Sequence, residues 1–515
     1  MTNGTSGRAA RWSGRWLAAA CVPLLAGCAV MGPDFVRPEW NAPDSWFQSR
    51  RPDLAKVASN PASDPLRADW WDVFGDAKLT ELARRAAAEN LDVQIAAIRI
   101  EQARSGLAIA ESATGPRVNA GGSFIRQRSS RYGILTANQP ANSNANGTSG
   151  NGVTGSPTRR FGPYDIYQGG FDASWEIDLW GRVARSVEAA EAVAQSAEES
   201  RRGVLVSAIA EIARTYVQLR GTQSLLAIAR DNLTTAQQSL ALTQQRAAGG
   251  LTTDLDVANA SGQVRRVAAE IPALQQREAA LNNALALLLG KPPHGLRAEL
   301  HTARPMPPLP ARVPAGLPAD IVRRRPDIRE VEARLHAATA EIGVATAEFY
   351  PTVRLGGSAG IQALNFGELF NLAANTFALG PSITIPIFDG GRLKANLRLR
   401  EASQKEAAIA FQKTVLMAWH EVDNALTAYQ AEQARRDELA KAVGDSRRAL
   451  GLARSRYEQG VADFLQVLDA QRLLLATQQQ HQISATTAAE NLVALYKALG
   501  GGWEPDFPDA PVAAK

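Results

Sequence analysis

The chain has 515 residues, 45 % of them apolar but only 6 % aromatic, and a formal charge of +5. That apolar content excludes a wholly disordered chain, and the scarcity of aromatics favours narrow helix–helix packing over one thick core. Length alone would allow two or three ordinary domains.

At the N-terminus Arg8, Arg11 and Arg15 form a basic region without acids, followed by a short apolar run from Trp16 to Leu25 and then Leu25-Ala26-Gly27-Cys28. The run is far below the ~20 residues that a membrane span needs. The segment resembles a bacterial lipoprotein leader. That resemblance implies a signal peptide over residues 1–27 and N-acyl and diacylglycerol lipid, palmitate among it, on Cys28. Ala29, in place of aspartate, implies sorting to the outer membrane. Removal of Cys21 and acylation of Cys28 would leave no free thiol and no disulfide, which excludes thiol catalysis and cysteine metal sites. The leader also takes three arginines, so the charge falls from +5 to +2 (5 − 3) and makes no case for nucleic acid.

Residues 28–75 are rich in Pro and Trp with little periodicity, and read as an extended segment running over the surface. Helical spacing begins near Asp76 (Leu79, Leu82, Ala86, Leu91, Ile95, Ile98) and predicts one helix to about Thr114, broken by Gly115-Pro116. Val118, Ala120, Gly122 and Phe124 alternate as in a strand. A low-complexity loop from Arg126 to Pro163 includes Asn142–Gly152 and cannot bury enough apolar surface to fold alone.

Phe171, Ala173, Trp175, Ile177 and Leu179 then alternate with Asp172, Ser174, Glu176 and Asp178. Alternation puts the two sets on opposite faces of a strand. Carboxylates at three positions require one face to see water; the other could face lipid. After Gly181-Arg182 the period changes: Leu205, Ile212, Leu219, Leu226, Leu233 and Leu240 recur every seventh residue, with Ile209 and Tyr216 between them. That is a coiled-coil seam. No proline lies between Pro163 and Pro272, so one helix is expected over about 182–248, on the order of 100 Å long at ~1.5 Å per residue. A break at Gly249–Thr253 leads to a helix over about 254–289, ending at Gly290. Residues 291–318, with Pro292-Pro293 and Pro307-Pro308, read as a linker or edge segment.

The chain then repeats itself. Asn90-Leu91-Asp92 and Pro116 correspond to Arg325-Pro326-Asp327 and Pro351 at an offset of 235; Gly181-Arg182, Gly250 and Gly290 correspond to Gly391-Arg392, Gly460 and Gly500 at an offset of 210. The seam survives the shift as Val415, Val422, Tyr429, Val443 and Leu450, with only Arg436 departing from it. The difference of 25 residues falls in the loop between the strands of the first copy. Residues 76–290 and 319–500 are therefore two copies of helix, β-hairpin, long helix and helix, followed by a tail over 501–515. In the second copy the strands are Val353–Ile361 and Phe377–Ile387.

One chain thus offers only four strands. In lipid every backbone donor and acceptor must be paired, which requires a closed barrel, and bacterial barrels start at about eight strands. Two chains would give a tight filled barrel and three would give twelve strands around a wider lumen. The polar set (Asp172, Glu176, Asp178, Arg354, Thr384) suits a watery lumen and favours the trimer. Enzyme motifs lack their context. Gly356–Gly360 fits G-x-S-x-G but lies in a strand, Gly150–Gly155 fits G-x-G-x-x-G but lies in the low-complexity loop, and His294, His301, His336, His420 and His481 show no ligand spacing. Arg323-Arg324-Arg325 reads as a solvated face. No metal, cofactor or catalysis is expected.

Ala347-Glu348-Phe349-Tyr350-Pro351, Gly380–Arg392, Trp175–Arg182 and Val467–Gln471 together resemble TolC-like outer-membrane efflux proteins, and the leader resembles their lipoprotein branch serving resistance-nodulation-division (RND) pumps. The resemblance covers essentially the whole mature chain. It implies a mainly α fold with a membrane β-barrel: a homotrimer in outer-membrane lipid, with a twelve-stranded barrel and a helical barrel crossing the periplasm. It also implies a passive exit duct for small toxic compounds, delivered by an inner-membrane RND pump through a periplasmic adaptor, as in multidrug resistance.

By the same resemblance, Gly250, Leu251 and Thr252, and Gly460, Val461, Ala462 and Asp463, form the periplasmic tip that meets the adaptor. Asp469 matches a pore-constricting aspartate ring, and Gln466 stands where a second aspartate is often found, which leaves a second ring open. Arg246 and Arg456 precede the turns and suit either closed-state salt bridges or a solvated face. Thr253 and Asp463 can cap the returning helices. Two rivals remain, an exit duct for protein secretion and a lipid-anchored coiled-coil scaffold without a pore.

Overall fold

Two helices of 67 residues each, Arg182–Ala248 and Arg392–Glu458, dominate the chain and start 210 residues apart. The computed structural model describes residues 30–39, 42, 43, 46, 60–62, 67–128, 163–314 and 316–504. Cys28, the leader, the low-complexity stretch over 129–162 and the tail after Glu504 lie outside the described residues.

In chain order the helices are α1 (Ala77–Glu89), α2 (Leu91–Glu111), α3 (Arg182–Ala248), α4 (Asp254–Leu288), α5 (Arg297–Leu300), α6 (Pro318–Arg324), α7 (Pro326–Ala347), α8 (Arg392–Glu458) and α9 (Phe464–Leu499). The strands are β1 (Asn60–Ala62), β2 (Arg117–Gln127), β3 (Tyr164–Ile177), β4 (Arg312–Pro314), β5 (Thr352–Ala363) and β6 (Asn375–Thr384). Two compact units result. One takes the chain up to Asp34, Gly106–Ala189 and Thr339–Glu401; the other takes Phe35–Ser105, Ala190–Ala338 and the chain from Ala402 onward.

The first unit is built on an antiparallel sheet in the order β2-β3-β5-β6. β6 stops at Thr384, short of the expected Ile387, just before Pro386, which has no N–H to give a ladder.

In the second unit the heptad seam of α3 becomes core. Leu205, Ile209, Ile212, Tyr216 and Leu219 are fully buried against Val415, Val422 and Tyr429 of α8 and Leu492 and Tyr496 of α9. Toward the turns Leu233, Leu240, Val443 and Leu450 are only half-buried. The sequence also misplaces Trp70 and Trp71. They do not run over the surface; a 3₁₀ turn over Trp70–Phe74 drives both into this core, where Trp70 stacks on Tyr496 at 5.1 Å. β1 pairs in parallel with β4, so part of the Pro-rich 291–318 stretch is an edge strand.

The helix expected over 76–114 is two helices. Asn90 is extended at ψ 124° and buried, and its Oδ1 accepts the Asp92 and Val93 N–H groups at 3.0 and 3.1 Å. Its Nδ2 donates to the Leu288 carbonyl at 2.8 Å. The second copy breaks at the matching place, where Arg325 also has ψ 124° and Pro326 opens α7. Proline suits that first position because its missing N–H would be unpaired there anyway. Arg325 is not on a solvated face. It is buried, donates to the Ala498 carbonyl at 2.7 Å, and pairs with Asp327 at 2.7 Å and Glu421 at 2.8 Å. Arg324 is paired as well, with Glu504 at 2.5 Å.

Candidate functional site

The register of the sheet sorts its side chains into two unlike faces. Asn119 sits opposite Asp172, which sits opposite Ser358; Glu176 sits opposite Arg354, which sits opposite Ser382. On the other face Val118, Phe124, Phe171, Trp175, Leu355, Phe377, Leu379 and Ile383 are all exposed, Phe377 at 88 %. A large exposed apolar face marks a surface meant for contact or for lipid.

The polar face is internally paired. Asn119 Nδ2 donates to Asp172 at 3.0 Å; Arg182 grips Glu176 through two bonds of 2.8 and 3.0 Å; Arg354 reaches the same carboxylate at 3.4 Å. Gly170 and Gly360 face each other across β3 and β5 on this side. A Cβ on Gly170 would stand 2.6 Å from the Ala359 carbonyl oxygen, so the strands approach more closely than any side chain allows.

Asp178 departs from the expected lumen set. It lies past the end of β3, and its Oδ2 accepts the Ala184 N–H at 2.8 Å, capping α3. The reason is positional: strand alternation stops at Ile177. Among the described residues β2 and β6 each pair on one side only, so the sheet ends in two open edges.

In the second unit, two turns reverse the long helices. Gly250 and Gly460 take φ of +70° and +78°, a region that glycine enters freely. The Leu251 and Val461 N–H groups reach back to the carbonyls of Arg246 and Arg456, at 2.9 and 3.0 Å, which closes both turns alike. Leu251 and Val461 stand exposed at the two tips.

Beyond the glycines the turns diverge. Thr253 and Asp256 form a reciprocal capping box, and the Thr252 hydroxyl adds a bond of 2.6 Å to the Asp256 carboxylate. These hydroxyls, Thr252 first, hold the Asp256 carboxyl below the usual aspartate range. Asp463 was expected to cap α9 but makes no side-chain cap bond; only its carbonyl is engaged, by the Gln466 N–H at 3.2 Å. Ala462, beside it, is half-buried.

Gln466 and Asp469 are both exposed, three residues apart on one face of α9, and Arg472 Nη1 stands 3.9 Å from Asp469. The opposite face (Phe464, Val467, Leu468) packs on Tyr457 and Ala260. Within one chain Arg246 makes no ion pair among the described residues. It lies 4.7 Å over the Tyr457 ring and donates to the Glu458 carbonyl at 3.2 Å, joining the two turns. Arg456 is exposed and has no carboxylate partner among the described residues. Tyr457, Asn119 and Gly170 escaped the sequence reading, and Gly360 entered it only as part of a rejected motif; only the place of Tyr457, three residues before the turn glycine, hinted at a role.

The outer membrane efflux protein family model matches residues 82–291 and 317–501. Outer membrane protein OprJ of Pseudomonas aeruginosa is 34 % identical over 490 residues, covering 95 % of this chain and 96 % of that protein. The toluene efflux pump outer membrane protein TtgC of Pseudomonas putida is 33 % identical over 490 residues, covering 93 % of this chain and 94 % of its own. The solved structure of the outer-membrane channel OprN superposes with a TM-score of 0.81 at 32 % identity, over 93 % of this chain and all of that one.

Proposed function

This chain belongs to the outer membrane efflux protein family, and we propose from that premise that three copies of it close one passive exit duct through the outer membrane. It is the outer-membrane channel of a tripartite efflux system, working with a periplasmic adaptor and an inner-membrane pump. One observation carries the proposed assembly: a sheet with an exposed apolar face, an internally paired polar face, and, among the described residues, two open edges. In hydrocarbon those edges must be paired, and four strands cannot close on themselves. Edge β6 of one copy meets edge β2 of the next, and twelve strands leave a wet lumen lined by Asp172, Glu176 and Arg354.

Cys28 carries the acyl anchor. Around the axis, three copies of Asp469 form an acidic ring at the narrow end, which favours cations. Leu251 and Val461 offer the adaptor an apolar foothold. The cargo is small toxic compounds, in keeping with the toluene and antibiotic efflux for which relatives are named. The pump supplies the energy, and the chain itself performs no chemistry.

Single-channel recording in planar bilayers tests this reading. Cross-linkable trimers that conduct ions, with cation preference reduced by Asp469→Asn, are expected. A water-soluble monomer, or a trimer without conductance, overturns it. Gly170→Val should prevent trimer formation, because its side chain would press on the β5 backbone.

A further inference from the structure

The loop between β5 and β6, residues 364–374 (LNFGELFNLAA), is unlike a loop made for water, with Glu368 as its one charge. Connections that run through water are ordinarily polar and rich in turn residues. Yet Leu364, Phe366, Phe370 and Leu372 are all exposed, Leu372 at 85 %. The backbone beneath them is held. Two 3₁₀ turns, Phe366–Glu368 and Leu372–Ala374, are closed by the Leu369 N–H on the Phe366 carbonyl at 3.2 Å and the Ala374 N–H on the Asn371 carbonyl at 2.9 Å. Asn371 Oδ1 also accepts the Ala373 N–H at 3.2 Å. An ordered backbone that holds apolar side chains outward marks a surface meant for contact.

The rings fix which way the loop leans. β6 lies on one flank of β5 and β3 on the other. Phe366 turns to the β3 flank and meets the Tyr167 ring edge-on at 5.5 Å; Tyr167 in turn lies 4.9 Å from Phe124 of β2, and Phe366 lies 6.2 Å from Phe370. Tilted and edge-on rings attract at these separations. The four make one row at the end of the sheet away from the start of α3. Strand alternation decides the side: Tyr167 and Phe171 are four residues apart on β3 and share a face. Phe377 of β6 and Phe171 are both opposite Ala359, so all three belong to the apolar face. The loop thus continues that face past the last strand pair and leans away from the polar one.

We propose that residues 364–374 form an apolar foot that folds away from the duct and rests Phe366, Phe370 and Leu372 among the acyl chains of the outer leaflet. The inference rests on the reading of the apolar sheet face as the lipid-facing one and extends it to this loop. Acyl chains are the fitting occupant for two reasons. The patch is continuous with the sheet face already assigned to hydrocarbon, and residues 364–374 hold no Lys or Arg to bind a headgroup phosphate. Aromatic rings at the edge of the hydrocarbon hold a membrane barrel at its depth. Here a loop adds to what the strands supply, and it leaves the mouth of the duct uncovered by this hairpin.

The test uses the full chain in vesicles of phosphatidylcholine and phosphatidylglycerol, spin-labelled at Phe370→Cys or Leu372→Cys. Oxygen, which concentrates in hydrocarbon, and a water-soluble nickel chelate report where the label sits. At both positions collisions with oxygen should exceed those with nickel several-fold. Adding Phe366→Ala, which removes the exposed ring that hooks the loop to Tyr167, should raise nickel access at position 370 several-fold with trimer content unchanged. Labels at Phe377→Cys, on the apolar sheet face, and at Ser358→Cys, exposed on the polar one, check the reading beneath. The first should favour oxygen and the second nickel. With those two as expected, a label at 370 that favours nickel puts the loop over the watery mouth and overturns the foot. A label shielded from both reagents puts it against a neighbouring copy and overturns the foot as well, as does nickel access that Phe366→Ala leaves unchanged. A Phe377→Cys label that favours nickel overturns the lipid-facing reading instead.

Discussion

The two copies of the repeat break their helices at matching places with different chemistry. At its helix–helix break the first copy uses Asn90, a neutral cap that also serves the Leu288 carbonyl; the second uses Arg325, a buried cation tied to Asp327, Glu421 and the Ala498 carbonyl. At the long-helix turn the first copy has a complete capping box and the second has none. Equivalent backbone breaks therefore do not dictate equivalent side chains. Each site needs only some group that satisfies the freed N–H and carbonyl groups.

The largest effect should come from Arg325→Met. It strands the Ala498 carbonyl and leaves two carboxylates facing each other, at a cost of about 2–4 kcal/mol in chemical unfolding of the detergent-solubilised protein. Burial by itself would lower the Arg325 pKa, but the Asp327 and Glu421 partners outweigh it and hold the value above the ordinary one, so the arginine stays charged at any working pH. Asn90→Ala should cost less, about 1–2 kcal/mol, by removing a cap and one bond to a carbonyl. Equal losses at the two sites would undo the contrast between them.

At the turns, Thr253→Ala should cost about 1 kcal/mol, whereas Asp463→Ala should stay within a few tenths. Arg246→Ala should cost roughly 0.5–1 kcal/mol through the lost stacking on Tyr457, and Arg456→Ala next to nothing. Amide exchange of the two turn peptides, followed by mass spectrometry, resolves these small differences. The smallest effect concerns pH. The folded pKa of Asp256 is depressed, so its contribution is present above the ordinary aspartate pKa, near 3.9, and is lost as pH falls through the lower folded value. Between about pH 5 and about pH 3 the Gly250 turn should gain exchange more than the Gly460 turn does. Thr252→Val should shrink that gain; an unchanged gain would remove Asp256 from the explanation.

Much of this was legible in the residues. The 210-residue offset located both long helices, because Gly-Arg at one end and a left-handed glycine at the other are local requirements of the backbone. Strand alternation separated Phe171 and Trp175 from Asp172 and Glu176, since successive side chains on a pleated strand must point opposite ways. The failures share a cause. Asn90 looks helical in its apolar spacing, and its role comes from the Leu288 carbonyl 198 residues away. Trp70 and Trp71 lie in an aperiodic stretch, and the core that receives them is made by α3, α8 and α9. Arg325 reads as a surface charge until Glu421 and Ala498 arrive beside it.

By itself, then, the sequence determined the periods: where strand gives way to helix, where helices turn back, and that four strands leave two edges in need of partners. These follow from short-range sterics and from side-chain spacing along one segment. Only the tertiary structure decided which polar groups are buried and what pairs them, and how closely Gly170 approaches β5. Those depend on atoms far apart in the chain meeting within a few ångströms, and no local pattern carries that distance.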